Sequence, residues 1–182
     1  MRIIAGKYKG KVLKEFALAS TRPTADMVRE ALFDKIGFDI NDAVFLDLFA
    51  GTGAVGIEAI SRGAKQCFFV DKNQEAIKII KNNLGLIDAN NGHMFCFDYE
   101  TALQNFANQS IKFDIIFLDP PYATSFAEDA INTIKSKDLL NDNGLIVWEH
   151  DAEKNDYVQK NFNNFQTKKY GKKYLTYIFN IK

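Results

Sequence analysis

The chain has 182 residues, and its 23 Lys and Arg are balanced by 23 Asp and Glu. That length suits one domain (1–182) with a full core, and 47% apolar with 25% charged residues is ordinary globular composition. Zero net charge excludes a generally basic nucleic-acid binder, so any such affinity must come from local patches. No apolar run reaches membrane-spanning length, and the opening MRIIAGKYKGK has no apolar signal-peptide core.

The chain opens with RIIAGKYKGKVLKEF (2–16), where Gly6 and Gly10 flank a turn-like middle, so a small β-hairpin is expected. In STRPTADMVREALFDKIG (20–37), Thr24 is placed as N-cap. Met27, Val28, Ala31, Leu32 and Ile36 form an apolar stripe at helical spacing. Strands and helices then alternate. AVFLDLFAG (43–51) is a strand entering a glycine turn, and AVGIEAISRG (54–63) a helix stopped by Gly63. KQCFFVD (65–71) is the next strand, and NQEAIKIIKNNLGL (73–86) a helix capped by Asn73. HMFCFD (93–98), FDIIFLD (113–119) and GLIVWEH (144–150) are further strands, separated by helices at 99–107 and 125–137. Residues 153–162 read as a helix, and TKKYGKKYLTYIFNI (167–181) as an antiparallel hairpin turning at Gly171. Near-continuous apolar strands alternating with helices predict an α/β fold, a doubly wound and mostly parallel sheet.

Cys67 and Cys96 both sit in apolar strand-like runs and lack a CxxC spacing, so they read as reduced core residues of a cytoplasmic protein. His93 and His150 have no ligand spacing, and no metal site is expected.

DLFAGTGAVG places Gly51, Gly53 and Gly56 as GxGxxG between a strand and a helix. Asp71 ends the next strand twenty positions after Gly51, the spacing at which an acid bonds ribose hydroxyls. Turn-making alone competes as an explanation for Gly56 but not for the whole set. Asp47, inside the strand end before the glycines, would repel a dinucleotide's pyrophosphate, whereas it suits the sulfonium and amino group of S-adenosylmethionine. Asp98, at the third strand end, is placed to accept from an adenine amino group. Asp47, Asp71 and Asp98 thus line one rim, at the carboxyl ends where such sheets bind ligands.

The fourth strand runs into DPPY, residues Asp119, Pro120, Pro121 and Tyr122. Two prolines end a strand and stiffen the backbone beyond it. An aromatic exocyclic amine is a poor nucleophile because its lone pair is delocalised into the ring. The Asp119 carboxylate and the Pro120 carbonyl can each accept one of its N–H groups, fixing the amine and stabilising positive charge as it develops. The Tyr122 ring is placed to stack on the base, which must be unpaired or flipped out to reach such a pocket.

DLFAGTG with DPPY resembles the methyltransferases that act on exocyclic nitrogens. The order RIIAGKYKG, RPTADMVREALF, DLFAGTGAVGIEAISRGA, VDKN, FLDPPY and KKYGKKYLTYI resembles more closely the RsmD family, which methylates a guanine N2 in small-subunit (16S) ribosomal RNA. The resemblance implies a class I (Rossmann-like) methyltransferase sheet with the final hairpin inserted antiparallel. It implies S-adenosylmethionine as cofactor, contacted by Asp47, Phe49, Gly51, Gly53, Asp71 and Asp98, with Thr24 added to that set. It implies Asp119, Pro120, Pro121 and Tyr122 as the catalytic motif. Met1 leads directly into the hairpin, so no longer N-terminal arm is expected.

An RNA partner, as free small-subunit RNA or an assembling subunit, also suits the basic patches. Arg2, Lys7, Lys9, Lys11 and Lys14 precede the first acid, Glu15, within the 1–19 extension. Lys168, Lys169, Lys172 and Lys173 interleave with Tyr170, Tyr174 and Tyr177, combining charge for phosphate with rings for stacking. Arg22 and Arg29 suit a phosphate or the methionine carboxylate, and capping and salt-bridging roles fit them equally well. The alternatives are a DNA amino-methyltransferase (adenine-N6 or cytosine-N4), which usually carries a recognition domain for which this chain has no room, a protein-glutamine methyltransferase, which typically has Asn at position 119, and a non-catalytic nucleotide-binding module.

Overall fold

The structure is a computed structural model that describes residues 1–16, 23–121 and 124–179, and of residues 23–25 the backbone. A seven-stranded sheet has the order β3-β2-β1-β4-β5-β7-β6. Its parallel strands are β1 (Val44–Asp47), β2 (Gln66–Val70), β3 (Gly92–Phe95), β4 (Phe113–Leu118) and β5 (Leu140–His150). The closing hairpin, β6 (Phe165–Tyr170) and β7 (Lys173–Phe179), inserts β7 antiparallel beside β5 and leaves β6 at the edge, with Gly171 at φ +60° in the turn.

Side chains alternate across the sheet, as strand geometry requires. Phe45, Phe69, Ile115, Val147 and Tyr177 face one core, and Leu46, Phe68, Ile116, Ile146 and Ile178 the other. The first core is covered by α1 (Pro23–Ile36), α2 (Ala54–Ser61), α3 (Gln74–Leu86) and the N-terminal segment. The second is covered by α4 (Tyr99–Asn108), α5 (Phe126–Ser136) and α6 (Asn155–Asn161), with α6 preceded by a short 3-10 turn. No described helix is long and apolar enough to cross a membrane.

Three local expectations change. α1 starts at Pro23, so Thr24 lies inside the first turn and not at the cap; proline suits that first position because its missing N–H would lack a helical partner anyway. Met27 is 47% exposed and Phe33 takes its place in the buried stripe with Val28, Leu32 and Ile36. Cys96 lies past the end of β3 and is exposed, so only Cys67 is a core thiol.

The N-terminal hairpin forms around one antiparallel bridge, Arg2 with Val12, and is closed by bonds from Ile3 N–H to the Lys11 carbonyl, Gly10 N–H to the Ile3 carbonyl and Leu13 N–H to the Met1 carbonyl. Other backbone groups of the segment anchor it to helices. Ile4 and Ala5 N–H donate to the two carboxylate oxygens of Glu58, and Tyr8 N–H donates to Ser61 Oγ. Gly6 has φ +80°, and a Cβ there would stand 1.8 Å from the Ser61 carbonyl oxygen, so no other residue fits. Buried Asn83 on α3 accepts from Lys14 N–H and donates to the carbonyls of Lys14 and Thr52, tying this segment to the glycine loop.

Candidate active site

The glycine loop begins where β1 ends. Gly51 (φ +53°) and Gly53 (φ +78°) adopt left-handed backbone, and Gly53 caps α2. Gly56 is required for a different reason: a Cβ there would lie 2.3 Å from the Phe69 ring and 2.6 Å from Cys67 Sγ, so it lets α2 pack against β2. Two of the rim acids hold this loop. Asp47 Oδ2 accepts from Gly56 N–H at 3.0 Å, and Asp71 Oδ2 accepts from Gly51 N–H at 2.9 Å while its Oδ1 accepts from Asn73 N–H. Burial raises the Asp47 carboxyl to about 7, the Gly56 N–H opposes that rise, and the Asp119 and Asp71 charges add to it.

A cavity of about 370 Å³ opens at the carboxyl ends of the strands, lined by Leu48, Phe49, Asp71, Lys72, Phe97, Asp98, Tyr99, Asp119, Pro120, Pro121 and Phe126. The structure thus brings Phe49, Asp71, Asp98, Asp119 and both prolines of the motif onto one wall system. Asp47 sits behind the loop, 2% exposed. Asp98 also caps α4, accepting from Thr101 N–H and from its hydroxyl, and the N–H bond holds its carboxyl below the usual range. The turn-forming use of a strand-end aspartate is therefore present here alongside its place on the cavity. Tyr122 and Arg22 lie outside the described residues, and of Thr24 only the backbone is described. Thr124 Oγ1 donates to the Pro121 carbonyl at 2.8 Å.

Sequence reasoning missed the apolar walls. Tyr99 packs on Phe49 (ring centroids 5.7 Å apart) and on Phe126 (5.2 Å). Their only signal was position: Phe97 and Tyr99 flank Asp98, and Phe126 follows DPPY closely. Also missed was a charged cluster beside Asp119, in which Lys173 Nζ lies 3.4 Å from Glu149 Oε1 and 3.9 Å from Asp151 Oδ1. Burial raises Asp119 to about 6, with Lys173 opposing and Asp151 adding; burial, then Asp119 and Asp151, raise Glu149 to about 8.

The basic patches divide. Arg2, Lys7, Lys9, Lys11, Lys168, Lys169 and Lys172 are exposed. Arg29 is not available to RNA: it is 5% exposed, donates to the Arg2 carbonyl and Asp26, and lies 3.8 Å from Glu58. Lys173 is drawn into the carboxylate cluster, leaving its side chain 17% exposed. Tyr177 is fully buried, so it offers no stacking face. Lys7 and Lys9 sit over the Ser61 end of α2, which leads into the start of β2, and so lie toward the rim opposite the cavity.

The cavity fits an adenosine cofactor. Beside it, Gly51 leaves its Cβ side open to 4 Å, while Asp71 and Asp98 offer acceptors and Phe97, Tyr99 and Phe126 give flat apolar walls. Fold and site together define a class I S-adenosylmethionine-dependent methyltransferase. The same fold occurs in the Thermus thermophilus 16S rRNA N2 G1207 methyltransferase RsmC, solved with AdoMet and guanosine (TM-score 0.75, 20% identity, covering 91% of this chain and 45% of that one). Residues 1–179 match the family described as "Conserved hypothetical protein 95", and the chain belongs to it. It is 42% identical over 154 residues to the Bacillus subtilis protein named "Putative rRNA methyltransferase YlbH", covering 84% of each chain. It is 33% identical over 153 residues to the Escherichia coli Ribosomal RNA small subunit methyltransferase D, covering 84% of this chain and 76% of the relative. A solved E. coli structure, "Putative methyltransferase yhhF", superposes with TM-score 0.85 at 28% identity over 100% of this chain and 99% of that one.

Proposed function

We propose that this protein transfers a methyl group to the exocyclic N2 amine of a guanine in small-subunit (16S) ribosomal RNA, in the cytoplasm. The observation that carries the reading is the Asp119-Pro120-Pro121 strand end on the same cavity as Asp71 and Asp98. Membership of a family whose named relatives act on small-subunit ribosomal RNA supports it.

S-adenosylmethionine, when bound, supplies a methyl group on a cationic sulfonium. The chain's own work is positioning and electrostatics. Asp71 and Asp98 present acceptors to a nucleoside, with Phe49 and the aromatic walls excluding water. Asp119 and the Pro120 carbonyl accept the two amine N–H groups. That draws the nitrogen out of conjugation and lowers the cost of the positive charge that grows on it. The acid-rich surroundings favour the same charge.

Tritiated methyl transfer to small-subunit RNA, small subunits, duplex DNA and protein tests the reading: incorporation into duplex DNA or protein alone would overturn it. Asp71→Ala is expected to weaken cofactor binding by about 1.5–3 kcal/mol, the range for a hydrogen bond to a charged group. Part of that loss passes through the Gly51 N–H that Asp71 holds. Calorimetry on the folded variant checks it, and unchanged affinity removes Asp71 from the site. Lys7, Lys9 and Lys11 changed together to Gln are expected to weaken RNA binding and flatten log K against log salt by up to about three. An unchanged slope would show that these lysines do not meet phosphate.

A further inference from the structure

The cluster beside Asp119 is not explained by folding alone, because it concentrates acids where a carboxylate must stay charged. Leu118 and Trp148 are ladder partners, so Asp119 and Glu149 leave neighbouring parallel strands side by side. Glu149 pairs in turn with Leu175 on antiparallel β7, which brings Lys173 back to the same rim. Asp119 thus faces Glu149 and Asp151 from β5 and the turn after it, Lys173 from β7 and Asp47 from β1; Asp71, Asp98 and Lys72 lie farther along the cavity. Lys173 and Glu149 are 17% and 15% exposed, whereas Asp151 is 46% exposed, so solvent screens the Asp151 charge most.

We propose that Lys173 is a positioning residue for the amine-accepting carboxylate: held by Glu149 and Asp151 at the same strand-end rim, its cation favours the ionised form of Asp119 against the acids around it. This rests on the amine-directed reading of Asp119 given above. Two nearby carboxyls in a water-poor site do not both ionise readily. Lys173 lowers the proton affinity of Asp119, whereas the charge of Asp119 raises that of Glu149. A protonated Asp119 would turn an O–H toward the amine in place of an acceptor. The acid limb of the pH–rate profile accordingly reports Asp119.

The signs of two variants are opposite. Lys173→Met removes the cation and moves the acid limb up by roughly one pH unit, the low end of the effect of a neighbouring opposite charge. Activity near pH 7 then drops about twofold, with larger losses below, and recovers at alkaline pH, and Lys173→Arg restores the wild-type profile. Glu149→Gln removes the competing acid and moves the limb down. The direct readout is a carbon-13 NMR titration of the Asp119 carboxyl in ligand-free protein, assigned with Asp119→Asn. It needs neither RNA nor cofactor. An Asp119 midpoint unmoved by Lys173→Met overturns the proposal, as does an activity loss equal at every pH. If Lys173→Met does not fold, Glu149→Gln carries the test, and an upward or absent shift overturns the proposal. Midpoints that move as stated, in a protein that methylates no RNA, would uphold the positioning role and reject the RNA reading instead.

Discussion

Asp119→Ala is expected to lower single-turnover methyl transfer by about 10²–10³, the usual loss when one pre-organised electrostatic partner is removed. Asp119 is the charged acceptor at the end of β4, and burial makes its interactions with an amine stronger than they would be in water. Cofactor affinity is expected to survive largely intact, because Asp71 and Asp98 remain. The loss should therefore fall on turnover and not on binding. On the sequence-based stacking role, Tyr122→Phe is expected to stay within about tenfold of wild type and Tyr122→Ala to lose far more. The measurement is methyl transfer to RNA at saturating S-adenosylmethionine. Wild-type turnover by Asp119→Ala would reject the amine-directed mechanism, and equal losses for Phe and Ala at position 122 would reject stacking.

The second large effect concerns the fold. Glu58 is 1% exposed and accepts from Ile4 N–H, Ala5 N–H and Arg62 Nε at 2.9, 2.9 and 2.8 Å, with Arg29 Nε 3.8 Å away. Glu58→Ala leaves two backbone donors and Arg62 Nε without their acceptor and removes the negative charge beside Arg29. Removing one partner of a buried ionic network costs about 3–5 kcal/mol, which for a chain of this size lowers Tm by roughly 10 °C. Thermal unfolding checks it: a change of a degree or two would mean that the N-terminal segment contributes little to stability. Glu58→Gln keeps one acceptor oxygen and should lose less.

Much of the fold was legible because it derives from local patterns. Most of the parallel strands are apolar runs ending at a carboxylate or histidine, and their helices repeat at about 3.6 residues, so burial on both faces could be read directly. Gly51, Gly53, Asp71 and Asp119 were legible because loop, strand end and spacing coincide. The rest depended on tertiary partners. The N-terminal segment reads as a hairpin and forms one, but its anchors, Glu58, Ser61 and Asn83, lie more than fifty positions away in sequence. Arg29 and Lys173 look like phosphate contacts because a basic residue carries no mark of its partner; Arg29 is claimed by Asp26 on its own helix and Glu58 on α2, and Lys173 by Glu149 on β5 and Asp151 just after it. Met27 sits at helical spacing with buried neighbours, yet only the packing of α1 on the sheet decides that Phe33 goes inside.

The most direct test of the central claim is to incubate the purified protein with S-adenosylmethionine and small-subunit RNA or subunits lacking the modification, digest the RNA to nucleosides and identify the product by mass spectrometry. The account predicts one mole of N2-methylguanosine per mole of RNA at most, formed by wild type and sharply reduced by Asp119→Ala. Methyl groups found only on adenine, on cytosine or on a ring nitrogen of guanine would contradict it.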